Sequence, residues 1–220
     1  MIIDERNLDV KGLFTNPIYL LTGDFETAKF FSCLASACCK FGYYIENIVR
    51  DNMSYPYIKV ENIGENKSGK HLLYKPKFGS EVPDYVLIDE DNKIIYVYEM
   101  KVNLKSMDSK KAHGEKAKYQ RLKLFLEENY KKYTVSVFVV NYLGVDGRNC
   151  SLYKNLDFLS IITGEEFCKS VNVSYDKLMN LIKESQKTNQ EFIKLYKEKL
   201  IDPPSDIKKQ KETNLLNFMV

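Results

Sequence analysis

Asp84, Glu99 and Lys101 are the residues whose types and spacing can do chemistry. Val97, Glu99 and Lys101 alternate with Tyr98 and Met100 in a β-forming run, so a period of two puts the carboxylate and the ammonium on one face. Asp84 opens a second β-rich run, Asp84 to Asp89. The polar Glu90-Asp91-Asn92 between it and the run Lys93 to Val102 predicts an antiparallel hairpin across which Asp84 can face Glu99. Two carboxylates that close repel each other, and a hard divalent cation with oxygen ligands relieves the repulsion. Magnesium is the obvious candidate, with manganese able to substitute, and it is inferred from charge alone. Phosphodiester hydrolysis needs a nucleophilic water, a group that orients it, and positive charge where the phosphate gains negative charge. In that scheme Asp84 and Glu99 hold the ion, the Met100 carbonyl adds a ligand, and Lys101 orients the water and neutralises phosphate charge. With a reference pKa of about 10.4, Lys101 is not a strong base. The plainer reading of these residues is a surface hairpin with a cross-strand ion pair.

The elements that must position this set follow from pattern. Thr22 to Asp24 offers helix N-caps, and Phe25 to Asn47 keeps Lys29, Ser32, Ser36 and Lys40 on one side and Phe30, Leu34, Ala37, Cys38 and Phe41 on another, which predicts a largely buried helix. Residues 50 to 82 are broken by Pro56, Gly64, Gly69, Pro76 and Gly79 and are expected to form short strands and loops. After the hairpin, Ser106 to Ser109 can open a helix running from about Lys111 to Asn129, and Thr134 to Tyr142 supplies an apolar strand, the order of a crossover unit. A strand around Phe158 to Ile162 leads to Thr163-x-x-Glu166, a capping-box spacing, and then to a long helix carrying Tyr175, Leu178, Met179, Ile182, Phe192, Ile193 and Tyr196. The expected class is α/β, a mixed sheet with helices against it.

Pro83-Asp84, then fourteen residues, then Glu99-Met100-Lys101 resembles the motif of the PD-(D/E)XK nuclease superfamily, which includes most type II restriction endonucleases. Tyr74-Lys75-Pro76-Lys77-Phe78-Gly79-Ser80, just before it, is similar to the lead-in of some restriction enzymes, and Ser80 joins the expected DNA contacts. The resemblance is strong over residues 74 to 101 and extends as an order of elements from Glu26 to Tyr142. It implies a restriction endonuclease-like mixed central sheet flanked by helices. It also implies magnesium-dependent cleavage of double-stranded DNA, by a type II site-specific enzyme working as a symmetric homodimer. The alternative is a repair, recombination or transposon-excision nuclease of the same fold. Family members often carry a further acid on the first helix, for which Glu26 is the natural match; its other reading is a carboxylate favourable to the helix dipole. Gln120 is followed four residues later by Leu124 and not by Tyr, which disfavours the RecB-like branch.

From Lys105 to Lys132 there are nine Lys or Arg against four Asp or Glu, in a chain whose net charge is only +3. That segment suits a polyanion, although a lysine-rich helix is also a common solvated face. Lys105, Ser106, Lys110, Lys111, His113, Lys116, Tyr119 and Arg121 crowd the start of one helix, where N-terminus and basic side chains both favour phosphates. His113 reads as a phosphate contact, and with His71 the only other histidine a histidine-based metal nuclease is disfavoured.

A chain of 220 residues with 44% apolar content can bury a good core, and one domain over residues 1–202 with a polar tail over 203–220 is expected. Cys33, Cys38, Cys39, Cys150 and Cys168 lack any C-x-x-C spacing and read as reduced, mostly buried thiols. The start, MIIDERNLDV, has no basic leader before an apolar stretch, and no run approaches a membrane span of roughly 20 residues, so a soluble cytoplasmic protein is expected. Glu212 to Met219 distantly resembles a sliding-clamp peptide but lacks the leading Gln and second aromatic; it reads as an apolar tail that docks on its own domain or a partner.

Overall fold

The computed structural model describes residues 17–65, 68–102, 109–143 and 158–201, and of 109–112 and 196–201 the backbone only. It is an α/β chain with one mixed sheet. Five strands, β1 (Lys70–Tyr74), β2 (Tyr85–Asp89), β3 (Ile94–Lys101), β4 (Thr134–Asn141) and β5 (Leu159–Thr163), lie side by side in chain order. β1, β2 and β3 form an antiparallel meander, whereas β4 runs parallel to β3 and β5 parallel to β4. The length of each connection decides its sense. Four residues join β2 to β3, with Lys93 in the left-handed region (φ 54°), and so short a link closes only an antiparallel pair. Thirty-two residues separate β3 from β4, enough for the helix α3 (Ser109–Asn129) and a crossover to a parallel neighbour.

Alternation along the strands sorts the faces. Val86 and Ile88, Ile95 and Val97, and Val135, Val137 and Val139 turn to one side, where Tyr119, Leu122 and Leu126 of α3 and Phe78 of the β1–β2 loop complete a buried core. Those α3 residues recur at the i, i+3, i+7 spacing of one helical face. Removing a fully buried side chain such as Leu122 costs about 2–5 kcal/mol. Tyr96, Tyr98 and Phe138 cover the other side, with the Phe167 ring of α4 (Gly164–Ser170) edge-on to Tyr98 at 4.9 Å. At the hairpin end the buried Glu90 carboxylate accepts from the Tyr133 hydroxyl, from Lys93 Nζ at 2.9 Å and from the Gly64 N–H at 3.1 Å.

The remaining helices are α1 (Pro17–Thr22), α2 (Phe25–Asn52) and α5 (Tyr175–Ile201). Asp24 starts α2 by accepting the Glu26 N–H at 3.0 Å, and Gly23, at φ 63°, makes the turn out of α1. The Thr163/Glu166 capping box is present, but it opens the short helix α4 instead of leading straight into a long one; residues Val171 to Ser174 separate α4 from α5. A Cβ at Gly164 would sit 2.3 Å from the Tyr142 carbonyl, so this cap admits only glycine. Two compact units are distinguished, Gly42–Leu178, which holds the sheet, and one drawn from Met1–Phe41 and Met179–Val220, whose described residues are mainly helical. Within the helical unit, α2 is less buried than its pattern predicts. Ala28 and Cys33 are enclosed, but Phe31 is 47% exposed, and Cys38, expected on the apolar side, is exposed together with Cys39. Cys168 is buried, and Cys150 lies outside the described residues. Among the described residues no helix is long and apolar enough to cross a membrane.

Candidate active site

Asp84 immediately precedes β2, and continuing the Tyr85↔Tyr98 register by one step sets it opposite Glu99. The two runs alternate in phase, so Asp84 shares the face of Val86, and Glu99 and Lys101 that of Val97, the face covered by α3. The pairing is locked by the Met100 N–H, which donates to Asp84 Oδ2 at 2.7 Å. Glu99 is only 6% exposed, and both its oxygens are held by ammonium groups: Oε1 by Lys101 and Oε2 by Lys118, each at 3.0 Å. Lys101 Nζ also lies 3.0 Å from Glu115 Oε1, and the other Glu115 oxygen accepts the Tyr119 hydroxyl at 2.9 Å. From α2 comes Glu46, 7% exposed, with Lys75 Nζ 2.7 Å from its Oε2. That ammonium lies over the Tyr43 ring, 4.4 Å from its centroid.

These charges act on one another through a poorly solvated space. Burial first, then the Glu99 and Glu46 carboxylates, push the Asp84 carboxyl up to about 7, against the opposing pull of the Met100 N–H and Lys101. Burial alone would lower the Lys101 ammonium, but Glu99 and Glu115 outweigh it and hold it above its ordinary value. Lys101 is therefore a fixed cation and not a proton acceptor. Lys75 is raised in the same way, burial being outweighed by Glu46. Among the described residues Asp84, Glu99, Glu46 and Glu115 thus face Lys75, Lys101 and Lys118.

No family model, curated protein or solved structure matches the chain.

Its function has to be argued from the site itself. Among the described residues no group of three or more His, Cys, Asp or Glu is arranged to hold a metal ion. The donor chemistry nevertheless suits a hard divalent cation. Asp84 is a part-buried carboxyl driven towards protonation by its burial and by the Glu99 and Glu46 carboxylates. Asp84 and Glu99 offer carboxylate oxygens on the same face of the hairpin.

Three residues of this cluster escape the sequence pattern. Glu46, from α2, is a carboxylate whose charge acts on Asp84; the expected Glu26 is part-buried in the first turn of the same helix, in the helical unit. Glu115 and Lys118 were legible in principle, since they extend the Tyr119, Leu122, Leu126 face of α3 by one turn. Of the expected DNA contacts, Tyr119 is corrected: its ring is fully buried in the core and its hydroxyl is spent on Glu115. Arg121 is exposed, with Nε 2.8 Å from Glu81 Oε1, the oxygen that also accepts from Ser80 Oγ at 3.2 Å. His113 is exposed and Lys116 half-buried on α3. Lys105 and Ser106 lie outside the described residues, as do the side chains of Lys110 and Lys111. A cleft of about 270 Å³ opens on the opposite sheet face between Leu87, Tyr96, Tyr98 and Phe138. Its charged members are engaged elsewhere, Lys70 with Asp89 and Glu166 in the α4 cap, so it offers space without reactive groups.

Proposed function

We propose that this protein is a magnesium-dependent endonuclease of the PD-(D/E)XK type that hydrolyses phosphodiester bonds in double-stranded DNA, as a sequence-specific restriction enzyme acting as a homodimer. The observation that carries the reading is the meeting of part-buried Asp84 with buried Glu99 across β2 and β3, with Lys101 on the same face. The mixed sheet flanked by helices is compatible with a restriction endonuclease-like fold.

Asp84, Glu99 and the Met100 carbonyl would hold the ion, with Glu46 in the position of the helix acid. A bound magnesium ion polarises the phosphate and lowers the pKa of its water. Lys101, kept protonated by Glu99 and Glu115, orients the attacking water and offsets charge on the phosphate. Glu115 fixes that ammonium, and Tyr119 fixes Glu115. Exposed Arg121 and His113, with Lys116, lie on the helix that brings Lys118 and Glu115 to the site, and they suit the phosphates flanking the scissile bond.

The test is incubation of purified protein with unmethylated plasmid and phage DNA in magnesium. Discrete fragments with 5′ phosphates, absent in EDTA, are expected, and mass measurement should give a dimer. Cleavage confined to flaps, nicks or junctions transfers the reading to a repair or transposon-excision nuclease. No cleavage of any nucleic acid with magnesium or manganese refutes it.

A further inference from the structure

We propose that the cleft on the sheet face opposite α3 binds a small aromatic carboxylate, with its ring against Tyr96, Tyr98 and Phe138 and its charge on Lys70. The site uses none of the residues of the Asp84 cluster and stands apart from the nuclease reading. Strand register builds its lining. Leu87 pairs with Tyr96 across β2 and β3, and Tyr98 with Phe138 across β3 and β4, so these side chains share one face. Ser136 pairs with Tyr96 and Ser160 with Phe138 on that face, and their small side chains leave room beside the rings that larger residues would fill. The Tyr96 and Tyr98 rings lie 20° from parallel with centroids 6.4 Å apart, and those of Tyr98 and Phe138 lie 21° from parallel at 5.5 Å. Rings so aligned match a flat ligand in offset-stacked or edge-on contact. Their placement is fixed in advance. The Tyr98 hydroxyl donates to Ser170 Oγ at 3.1 Å, and Ser170 Oγ donates to the Phe167 carbonyl at 2.7 Å. A lining already ordered loses little freedom when a ligand enters. The volume of about 270 Å³ exceeds the roughly 150 Å³ that admits benzene and falls short of the larger sites, up to about 1,000 Å³, of drug-sized ligands. One or two fused rings fit it.

The rim decides the charge. Glu166 Oε2 is spent within the α4 cap, on the Thr163 N–H at 2.8 Å and the Thr163 hydroxyl at 3.0 Å. Lys70 is held more loosely: its Nζ is 3.7 Å from Asp89 Oδ2, beyond hydrogen-bond distance, and 38% of its side chain is exposed. Asp89 keeps its hydrogen bonds without Lys70, because the Asn92 N–H and Nδ2 donate to its two oxygens at 3.0 Å each. The Lys70 ammonium is therefore free to turn to an anion in the cleft. Among the described residues it is the one cation in the lining. A single ammonium matches the single charge of a carboxylate better than the nearly double charge of a phosphate monoester.

The test is titration calorimetry of the purified protein with naphthaleneacetate, the neutral naphthaleneacetamide and naphthyl phosphate. Wild type is compared with Lys70→Gln, Tyr96→Ala and the control Lys183→Gln, which alters an exposed lysine of α5. Wild type should bind the carboxylate roughly tenfold tighter than the amide, the scale of one hydrogen bond to a charged group, and tighter than the phosphate. Lys70→Gln should erase the preference by weakening the carboxylate alone, whereas Lys183→Gln should match wild type. Tyr96→Ala should weaken carboxylate and amide alike. A merely structural Lys70 would also weaken both ligands alike, and that comparison stands even if Tyr96→Ala folds poorly. Equal affinity for carboxylate and amide in wild type, or a preference that survives in Lys70→Gln, overturns the proposal. Tighter binding of the phosphate overturns the carboxylate assignment, and unchanged binding in a folded Tyr96→Ala overturns the cleft as its place. No binding of either carboxylate or amide at millimolar concentration overturns the site altogether.

Discussion

Replacing Asp84 by Asn should make the metal-free protein more stable while destroying its activity, and the size of the gain should depend on pH. The amide retains an oxygen to accept the Met100 N–H but removes the charge that burial, Glu99 and Glu46 oppose. A carboxyl raised from 3.8 to about 7 carries, at about 1.4 kcal/mol per unit, a penalty of about 4 kcal/mol when ionised in the folded state. The sign follows from proton binding. Below about pH 4 the carboxyl is protonated in both states and no penalty exists; as pH rises the folded state must give up a proton it holds more tightly, and the penalty is complete above about 7. The Asn variant should therefore exceed wild type by up to about 4 kcal/mol at pH 8, by roughly half of that or less at pH 5, and by almost nothing at pH 3.5. Urea unfolding in EDTA can be followed by tyrosine fluorescence, since the chain has 16 Tyr and no Trp. Among the described residues five of those tyrosines, Tyr85, Tyr98, Tyr119, Tyr133 and Tyr142, are buried in the sheet-bearing unit. Cleavage in magnesium should meanwhile fall by at least about 10²-fold, the scale of losing one preorganised electrostatic group. Equal stabilities at pH 8, or a difference that widens as pH falls, would refute the account of a strained carboxylate cluster.

Cation binding should expel the Asp84 proton, so affinity for magnesium should rise up to about tenfold per pH unit below 7 and level off above it. Titration calorimetry in two buffers of different ionisation enthalpy measures the released proton, and a pH-independent affinity would contradict the assignment. Tyr119→Phe should leave duplex affinity unchanged, because the ring is buried, but should cost about 1 kcal/mol of stability by removing the hydrogen bond to Glu115; a loss of DNA affinity in a folded variant would restore Tyr119 as a direct contact. Gly164→Ala should destabilise by about 1–3 kcal/mol or prevent folding, since its methyl would enter the Tyr142 carbonyl at 2.3 Å. Thermal melting checks it, and an unshifted midpoint would show that the cap can move aside.

Asp84, Glu99 and Lys101 are legible in the sequence because a hairpin is a local object. Alternation sets the face, the short polar link sets the register, and the structure departs from the expected strand limits by a residue or so at each end. The crossover to β4 is legible for the same reason, as is the capping box, whose Thr163 and Glu166 satisfy each other three residues apart. Glu46 is not. An acid on a helix of 28 residues reveals which face it occupies but not which stretch of the helix meets the sheet, so Glu26 and Glu46 cannot be ranked without tertiary contacts. Tyr119 misleads because it sits among lysines. The stripe Glu115, Lys118, Tyr119, Leu122, Leu126 passes from charged to apolar along one face of α3, and composition by segment averages that gradient away. β1 is hidden among the Pro and Gly breaks of its region, since a five-residue strand between such residues has no periodicity long enough to stand out.

The crossover between β3 and β4 also bears on the order of assembly. Asp84 and Glu99 are 15 residues apart and meet when a hairpin closes, an event of microseconds. The partners that neutralise Glu99 from α3 arrive only with the parallel pairing, in which Ile94 must find Thr134 across 40 residues of chain. Longer closures pay their entropy before they gain contacts and come later. The folding chain is thus expected to meet the carboxylate repulsion before Lys118 can relieve it, and the barrier should carry that cost. Moderate salt, which screens the still-solvated pair, should accelerate refolding more than it changes unfolding, and stopped-flow tyrosine fluorescence at two ionic strengths would reveal an unchanged folding rate if the pair forms late instead.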